Sequence, residues 1–302
     1  MATAATSLLT SNTRRHAYFV AFVLISSLAF YATLTALVRY SLYNSSSSHI
    51  ILIPFVSFFL IYLERRTIFS NSATSFGPGI GLAVAGLFFC WLAARGPIPR
   101  DGNWSLAGQA IALILVWVAG FLFFYGAAAL RAGGFALFFL LLMVPVPDAI
   151  LNWTINALQE GSTEIAYLIF QAVGTPVLRH GFQLSVPGVT IEVAEECSSI
   201  RSSMALFITC LLASHLYLRT GWKKWVLVLL TFPLSLIKNG VRIATLTLLS
   251  IYVDPSFLTG RLHHQGGFVF FVLALLMLLP VFLWFERSDN PHKLLSPATE
   301  AR

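Results

Sequence analysis

Charged residues are scarce in this sequence. Asp, Glu, Lys and Arg together make up 10% of the 302 residues, whereas a soluble domain carries roughly 25%. Hydrophobic residues make up 57%, and the mean hydropathy is +0.80. This composition excludes an ordinary soluble globular domain and predicts a polytopic membrane protein.

Cysteine is also rare, with Cys90, Cys197 and Cys210 the three in the chain. No CxxC pair and no Cys/His metal spacing is present, which argues against a disulfide framework or a zinc site. No Gly-rich phosphate loop precedes a helix in a βαβ setting either. We therefore predict no cofactor and no metal.

Polar segments in which basic residues alternate with aromatic residues are lacking as well. The net charge of +7 therefore does not indicate nucleic-acid binding. It fits the excess of Lys and Arg that cytoplasmic loops of membrane proteins carry.

Long apolar runs are what the sequence has in abundance. A spanning helix needs about 20 mostly apolar residues, and the second and fifth runs are short enough to be tilted or re-entrant. The runs cover residues 17–39, 48–63, 77–95, 105–125, 133–147, 198–218, 225–252 and 267–285. The predicted fold class is an all-α polytopic membrane protein with about eight transmembrane helices.

The distribution of Lys and Arg predicts the orientation. With the N-terminus inside, the basic residues of the cytoplasmic segments outnumber those of the outer loops. The inner set is Arg14, Arg15, Arg65, Arg66, Arg131, Arg219, Lys223, Lys224, Arg287, Lys293 and Arg302, and the outer set is Arg39, Arg95, Arg100, Arg179 and Arg261. The difference favours cytoplasmic termini. We expect disordered tails at 1–16 and 286–302 around an integral membrane domain at 17–285.

Residues 148–196 form the longest non-spanning segment, which this topology places outside. Its first part has apolar residues at helical spacing, interrupted by Gly161 and Ser162, and predicts one amphipathic helix or a helix pair at the membrane surface. Its second part alternates around Pro187 and Gly188 and predicts a small β-hairpin. The hairpin leads directly to Cys197, so a small extracytoplasmic insertion precedes the sixth helix.

The stretch "EECSSIR", residues 195–201, begins the sixth predicted helix with polar residues. Arg201 lies four residues after Cys197, on the same helical face. A nearby guanidinium and a helix N-terminus both favour the thiolate. Glu195 and Glu196 oppose this unless they are paired with arginine, although they suit the positive end of the helix dipole. The plain alternative is a small buried cysteine with a snorkelling arginine.

Two further stretches put ionisable residues where a bilayer disfavours them. Lys238, Asn239 and Arg242 interrupt the apolar seventh helix, and the two cations stand four residues apart. They require a partner, which a structural ion pair could also supply. His263 and His264 come just before the eighth helix, and imidazole suits proton transfer near neutral pH, although an exposed loop histidine alone means little.

Together, the three stretches predict one chemistry. In the predicted topology Cys197, Arg242 and His263 stand at the outer ends of three consecutive helices. A Cys–His pair with an electrophilic arginine suits acyl transfer. The thiolate would attack a carbonyl, the guanidinium would stabilise the oxyanion, and the imidazole would move the proton.

These residues resemble the exosortase/archaeosortase family of membrane-embedded cysteine transpeptidases. The similar pieces are "VPVPD" at 144–148, "VGTPVLRHGFQLSVPGVTIEV" at 173–193, "EECSSIRS" at 195–202, "NGVRI" at 239–243 and "HHQGGFVFF" at 263–271. The resemblance is good from about 133 to 285, which we take as the catalytic core. One departure is Ser199, where the family often has glycine after Cys-Ser.

The resemblance implies specific roles. It matches Cys197 to the nucleophile, Arg242 to the essential arginine and His263 to the histidine, with His264 as its rival. Arg201, Glu195 and Asn239 are candidate supporting residues.

The resemblance also implies the partners and the setting. The substrates would be exported proteins that end in a short motif such as Pro-Glu-Pro, a hydrophobic helix and basic residues. Their new carboxyl end would pass to an unknown acceptor. The setting would be the lipid of a bacterial inner membrane, with the site facing the periplasm. Two alternatives remain at this point: a transporter or channel whose charged residues line a pathway, and a non-catalytic component of envelope polysaccharide export.

Overall fold

The computed structural model describes residues 2–70, 74–95, 102–193, 200–258 and 267–289, with side chains from residue 13 onward. It is 82% helical and has one small sheet, which confirms the predicted all-α membrane class. The chain divides into two compact units, residues 1–150 and 151–302. All candidate site residues belong to the second.

The first unit is entirely helical in its described part. Its helices are α1 (Ala2–Ala29), α2 (Tyr31–Tyr43), α3 (Ile53–Leu63), α4 (Arg65–Ile68), α5 (Phe76–Arg95), α6 (Trp104–Ala132) and α7 (Gly134–Phe139), and a 3₁₀ turn, Leu140–Met143, follows. Helix α6 forms the centre of the unit. Gly120 of this helix lets the ring of Phe22 approach, because an added Cβ would lie 2.2 Å from Phe22 Cε1.

Asn103 and Asp148 cap each other's helices. The Asn103 N–H donates to Asp148 Oδ2, and the Asp148 N–H donates to Asn103 Oδ1, both at 3.1 Å. A carboxylate or amide oxygen that accepts a free N–H at a helix start stabilises that helix. Gly102, at φ +69°, has no room for a side chain, because a Cβ would lie 2.4 Å from Asp148 Oδ2.

The second unit combines a small sheet with helices. Its elements are α8 (Asp148–Val173, which begins three residues before the boundary), β1 (Leu178–His180), β2 (Gln183–Val186), β3 (Val189–Glu192), α9 (Ile200–Tyr217), α10 (Gly221–Leu229), α11 (Thr231–Tyr252), a 3₁₀ turn (Pro255–Leu258) and α12 (Gly267–Asp289). Helices α9, α10 and α12 share an apolar core that includes the buried Cys210.

The sheet is an antiparallel meander in the order β1-β2-β3. Leu184 and Val186 of β2 pack against Ala166 and Phe170 of α8 and against Ala244 of α11. The prediction of a hairpin about Pro187 and Gly188 is confirmed, and a third strand joins it through a turn at Gly181, φ +61°. The apolar side chains of β2 therefore hold the sheet on these two helices.

Five helical segments of the described residues are long and apolar enough to cross a membrane. They are Phe76–Arg95, Trp104–Ala132, Ile200–Tyr217, Gly221–Tyr252 and Gly267–Asp289. Two bent pairs raise the number to seven if each counts as one span: Thr13–Ala29 with Tyr31–Tyr43, and Gly134–Met143 with Asp148–Val173. The chain is therefore a multi-pass membrane protein, and the predicted number of eight is not confirmed.

The differences occur at three runs: the first bends by 75° between Ala29 and Tyr31, and the second and fifth are the two short ones. The run 48–63 contains a helix of only 11 residues, Ile53–Leu63, because its first five residues form turns. In the run 133–147, Pro145 and Pro147 end the helical turns, since proline disfavours helix at the residue before it.

The helix of the insertion is one of the two forms that the sequence predicted. Residues 148–173 form one helix, and Gly161 and Ser162 do not interrupt it. Helix α1 begins at Ala2 and α12 continues to Asp289, while the bounds of the tails and of the membrane domain stay predictions. The later part of the C-terminal tail lies outside the described residues.

Candidate active site

Helix α11 carries the polar residues that its apolar context makes unusual. Lys238 and Asn239 are each 1% exposed, and Arg242, one turn further, is half-buried. Because residues four apart lie on one face of a helix, the ammonium and the guanidinium share a stripe of α11. The structure therefore buries the charge of Lys238 and half-buries that of Arg242, both of which the sequence singled out.

Lys238 links α11 to α9. Its Nζ donates a hydrogen bond to Ser202 Oγ at 2.5 Å. No carboxylate pairs with Lys238 among the residues that the structure describes. Ser202 lies in the first turn of α9, five residues after Cys197, and Arg201 beside it has an exposed side chain. The hydrogen bond thus ties the start of α9 to the helix that bears Arg242.

Two glycines bring α8 and α11 close together. A Cβ on Gly240 would lie 2.5 Å from Ile165 Cγ2, and a Cβ on Gly161 would lie 2.9 Å from Leu236 Cδ2. Small residues at such crossings allow membrane helices to approach closely. Gly240 lies between Lys238 and Arg242, so this contact also fixes the position of the cationic stripe.

Gln159 of α8 anchors the end of β3. Its Nε2 donates to the Val193 carbonyl at 2.9 Å, and the Val193 N–H donates to the Phe182 carbonyl at 3.0 Å. Gln159 is buried, and its helix packs under the sheet. A buried amide that meets a backbone carbonyl holds the strand end in place.

Arg242 opens into a cavity of about 190 Å³ between the end of β3, helix α11 and the 3₁₀ turn. Its walls also include Glu192 and Val193 of the strand end and Leu258 of the turn. The cavity therefore brings a guanidinium and a carboxylate residue to one space.

Asp254 makes a local hydrogen bond at the start of the turn that carries Leu258. The Ser256 N–H donates to Asp254 Oδ1 at 2.7 Å. Hydrogen bonds from the side chain and the backbone of Ser256 lower the pKa of Asp254. The carboxylate form is thereby favoured where α11 gives way to the turn.

The remaining predicted site residues lie outside the described residues. These are Glu195, Cys197, His263 and His264, together with Glu196. Of the predicted set, the structure thus describes Arg242, Asn239 and Arg201. It brings Arg242 to a cavity, buries Asn239 one turn below it and exposes Arg201.

Sequence reasoning missed four residues that build this site. Gln159, Glu192 and Ser202 gave no signal, because their roles depend on contacts between distant parts of the chain. Lys238 did give one, a charge within an apolar helix, but it was not placed among the site residues. Among the described residues, no group of three or more His, Cys, Asp and Glu could hold a metal ion.

Comparison with known protein families identifies the chain. The family described as Transmembrane exosortase (Exosortase_EpsH) matches residues 40–280, which include every candidate residue and begin far upstream of 133. No curated protein and no solved structure matches the chain. Exosortases are transmembrane transpeptidases or proteases that act on exported proteins bearing sorting signals. Because the match covers most of the chain, this protein belongs to the transmembrane exosortase family.

Proposed function

We propose that the protein is a cysteine protease or transpeptidase that cleaves the C-terminal sorting signals of exported proteins through a thioester on Cys197. One observation carries the proposal beyond family membership. Arg242 lines a cavity whose walls also include Val193 and Leu258. These are the last described residues before the segments that contain the candidate cysteine and histidine.

Short links support a common site. The four-residue link from Val193 to Cys197 can extend over at most about 14 Å, and the five-residue link from Leu258 to His263 over at most about 18 Å. On the other side, Ile200 begins α9 three residues after the cysteine. Both reactive side chains therefore belong to segments that start at the walls of the Arg242 cavity.

The first half of the reaction forms the thioester. The Cys197 thiolate attacks the carbonyl carbon of the scissile peptide bond, and the Arg242 guanidinium stabilises the oxygen that becomes negative. The carbon–nitrogen bond then breaks. The leaving amine takes a proton from the His263 imidazolium, or from His264 if that is the catalytic member of the pair.

The second half releases the product. An acceptor bearing a hydroxyl or amine, or water, attacks the thioester carbon and gives its proton to the neutral imidazole. The carbon–sulfur bond breaks and the thiolate returns. Arg201, Glu195 and Asn239 would act as supporting residues.

The substrate and the setting follow from the same proposal. A tail composed of a short motif, a hydrophobic helix and basic residues would remain anchored in the bilayer during cleavage. The site would face the periplasm of a bacterial inner membrane, with cytoplasmic termini and a catalytic core at 133–285. The basic end of the tail would then stay inside and hold the motif at the outer face.

Replacing the nucleophile tests the proposal most directly. We expect Cys197→Ala and Cys197→Ser to abolish cleavage of a co-expressed reporter that ends in a Pro-Glu-Pro motif, an apolar helix and basic residues. Cys90→Ala is the matched control, because Cys90 lies in α5 of the first unit. That variant should cleave the reporter as the unsubstituted protein does.

Three outcomes would contradict the proposal. Cleavage that persists in both Cys197 variants would show that Cys197 is not the nucleophile. Solute flux in proteoliposomes that does not depend on Cys197 would favour a transporter. Normal envelope assembly in a strain with Cys197, Arg242 and His263 all replaced would favour a non-catalytic role.

A further inference from the structure

The outer edge of β3 has backbone groups that pair with no described strand. Val193 donates to the Phe182 carbonyl of the neighbouring chain segment, and the β2–β3 register pairs Ile191 with Leu184 and Val189 with Val186. Inward and outward bonding alternates along an antiparallel strand. The N–H and C=O groups of Thr190 and Glu192 therefore point away from β2.

No described strand pairs with this edge. In the sheet order β1-β2-β3, the third strand has a neighbour on one side only. The side chains of Thr190 and Glu192 are also exposed. Two residues at alternate positions can together offer an incoming strand as many as four main-chain hydrogen bonds.

The edge ends at the candidate active site. Glu192 and Val193 line the cavity that Arg242 also lines. Gln159 fixes the Val193 carbonyl, so the strand end is held against movement. A chain that pairs with β3 would therefore extend to the Arg242 guanidinium.

The opposite edge of the sheet, formed by β1, is less suited to pairing with an added strand. Strand β1 has three residues, and its register with β2 leaves only Arg179 pointing outward. The Arg179 side chain is itself engaged, since it forms an ion pair with Glu164 and donates to the Gly181 carbonyl. Short, charged edges of this kind resist strand addition.

We propose that β3 binds the extended sorting motif of the substrate by strand addition, with main-chain hydrogen bonds to Thr190 and Glu192 that carry the scissile bond to the Arg242 cavity. The inference rests on the proposed function and deepens it. Strand addition supplies affinity through the backbone and leaves specificity to alternate side chains. The occupant is thus an extended peptide rather than a folded surface.

The variant Thr190→Pro tests the inference. It removes the outward N–H and leaves the β2–β3 ladder complete, since proline is tolerated where the strand N–H faces away from the sheet. With the purified protein and the Pro-Glu-Pro reporter tail, we expect Thr190→Pro to raise KM about five- to tenfold with kcat nearly unchanged. Thr190→Val, which keeps the N–H and loses only the hydroxyl, is the matched control.

A second measurement uses the unsubstituted protein and does not depend on how the variant folds. In synthetic tails with one backbone amide replaced by an ester, KM should rise at every second position of the motif region and stay unchanged at the positions between. Ester effects without this alternation would overturn the inference, as would equal KM values for Thr190→Pro and Thr190→Val.

Two further outcomes separate the inference from its premise. A change of oligomeric state in Thr190→Pro with an unchanged KM would assign the edge to pairing between copies of the chain, and would overturn the inference. Failure of the unsubstituted protein to cleave the tail would overturn the proposed function, and the inference with it. Cleavage by the unsubstituted protein with no effect of the proline would overturn the inference alone.

Discussion

Two buried lysines of the second unit have opposite surroundings. Lys223, 7% exposed, lies 2.6 Å from Asp289 Oδ1. Lys238, 1% exposed, donates to the neutral hydroxyl of Ser202, and no carboxylate pairs with it among the described residues. Lys223 thus has a carboxylate partner, whereas the described partner of Lys238 is a hydroxyl.

Asp289 and the groups that bond to it form a cluster in which the carboxylate has several donors. Besides Lys223, the carboxylate accepts hydrogen bonds from the N–H groups of Arg219 and Thr220 and from Thr220 Oγ1. These contacts join the corner before α10 to the end of α12, so the cluster has a structural role. Among the described residues, no carboxylate pairs with Lys238 in this way. Ionisable groups inside a membrane without a structural partner usually serve function, and Lys238 stands one turn from Arg242.

The largest expected effect concerns stability and lies in the Asp289 cluster. Asp289→Ala should lower the free energy of unfolding by about 3 kcal/mol or more, because breaking a buried pair leaves an uncompensated charge. Thermal unfolding in detergent would measure it. Asp254→Ala, which removes an exposed carboxylate bonded to Ser256, should change stability little.

Cleavage per folded Asp289→Ala molecule should stay at the level of the unsubstituted protein. A loss of cleavage without a loss of stability would reverse the comparison and assign the functional role to the Asp289 cluster.

The next effect concerns catalysis and lies at Arg242. Arg242→Lys keeps the positive charge but loses the planar fork of donors, and the two side chains are not interchangeable at such sites. We expect cleavage of the reporter tail to fall about 100-fold, the loss typical of removing one donor to a developing oxyanion. Arg287→Lys, at the exposed end of α12, is the control. An unchanged rate for Arg242→Lys would show that charge alone is needed.

The sequence predicted the elements whose signals are local. Low charge and long apolar runs gave the membrane class, and Pro187-Gly188 gave the hairpin turn, where Gly188 adopts φ +86°. The third strand was missed, and the choice between one helix and a helix pair at α8 stayed open, for another reason. Gly161 resembles a helix interruption along the chain, but it serves a contact with Leu236 on another helix. The residues next to Gly161 in the sequence do not indicate such a contact.

The residues of the candidate site also divide into those with a local sequence signal and those without one. Polar residues within an apolar helix pointed to Arg242 and Asn239, and the structure brings the first to a cavity and buries the second. Gln159 and Glu192 join that site only through the packing of α8 and β3, which a sequence pattern does not encode. The roles of Cys197 and His263 stay predictions.

The smallest expected effect is the one that separates the two lysines directly. Lys238→Met should leave the free energy of unfolding unchanged or raise it, because an apolar side chain of similar length relieves the burial of a charge that no described carboxylate neutralises. The same change should lower reporter cleavage about tenfold, since it removes the tie to Ser202 and a positive charge one turn from Arg242. Lys223→Met should lower the free energy of unfolding, since it leaves Asp289 without its cation. Cleavage per folded molecule should stay unchanged in this variant. If both variants lost stability alike and kept equal cleavage, the two lysines would be equivalent structural groups, and the functional assignment of the α11 stripe would rest on Arg242 alone.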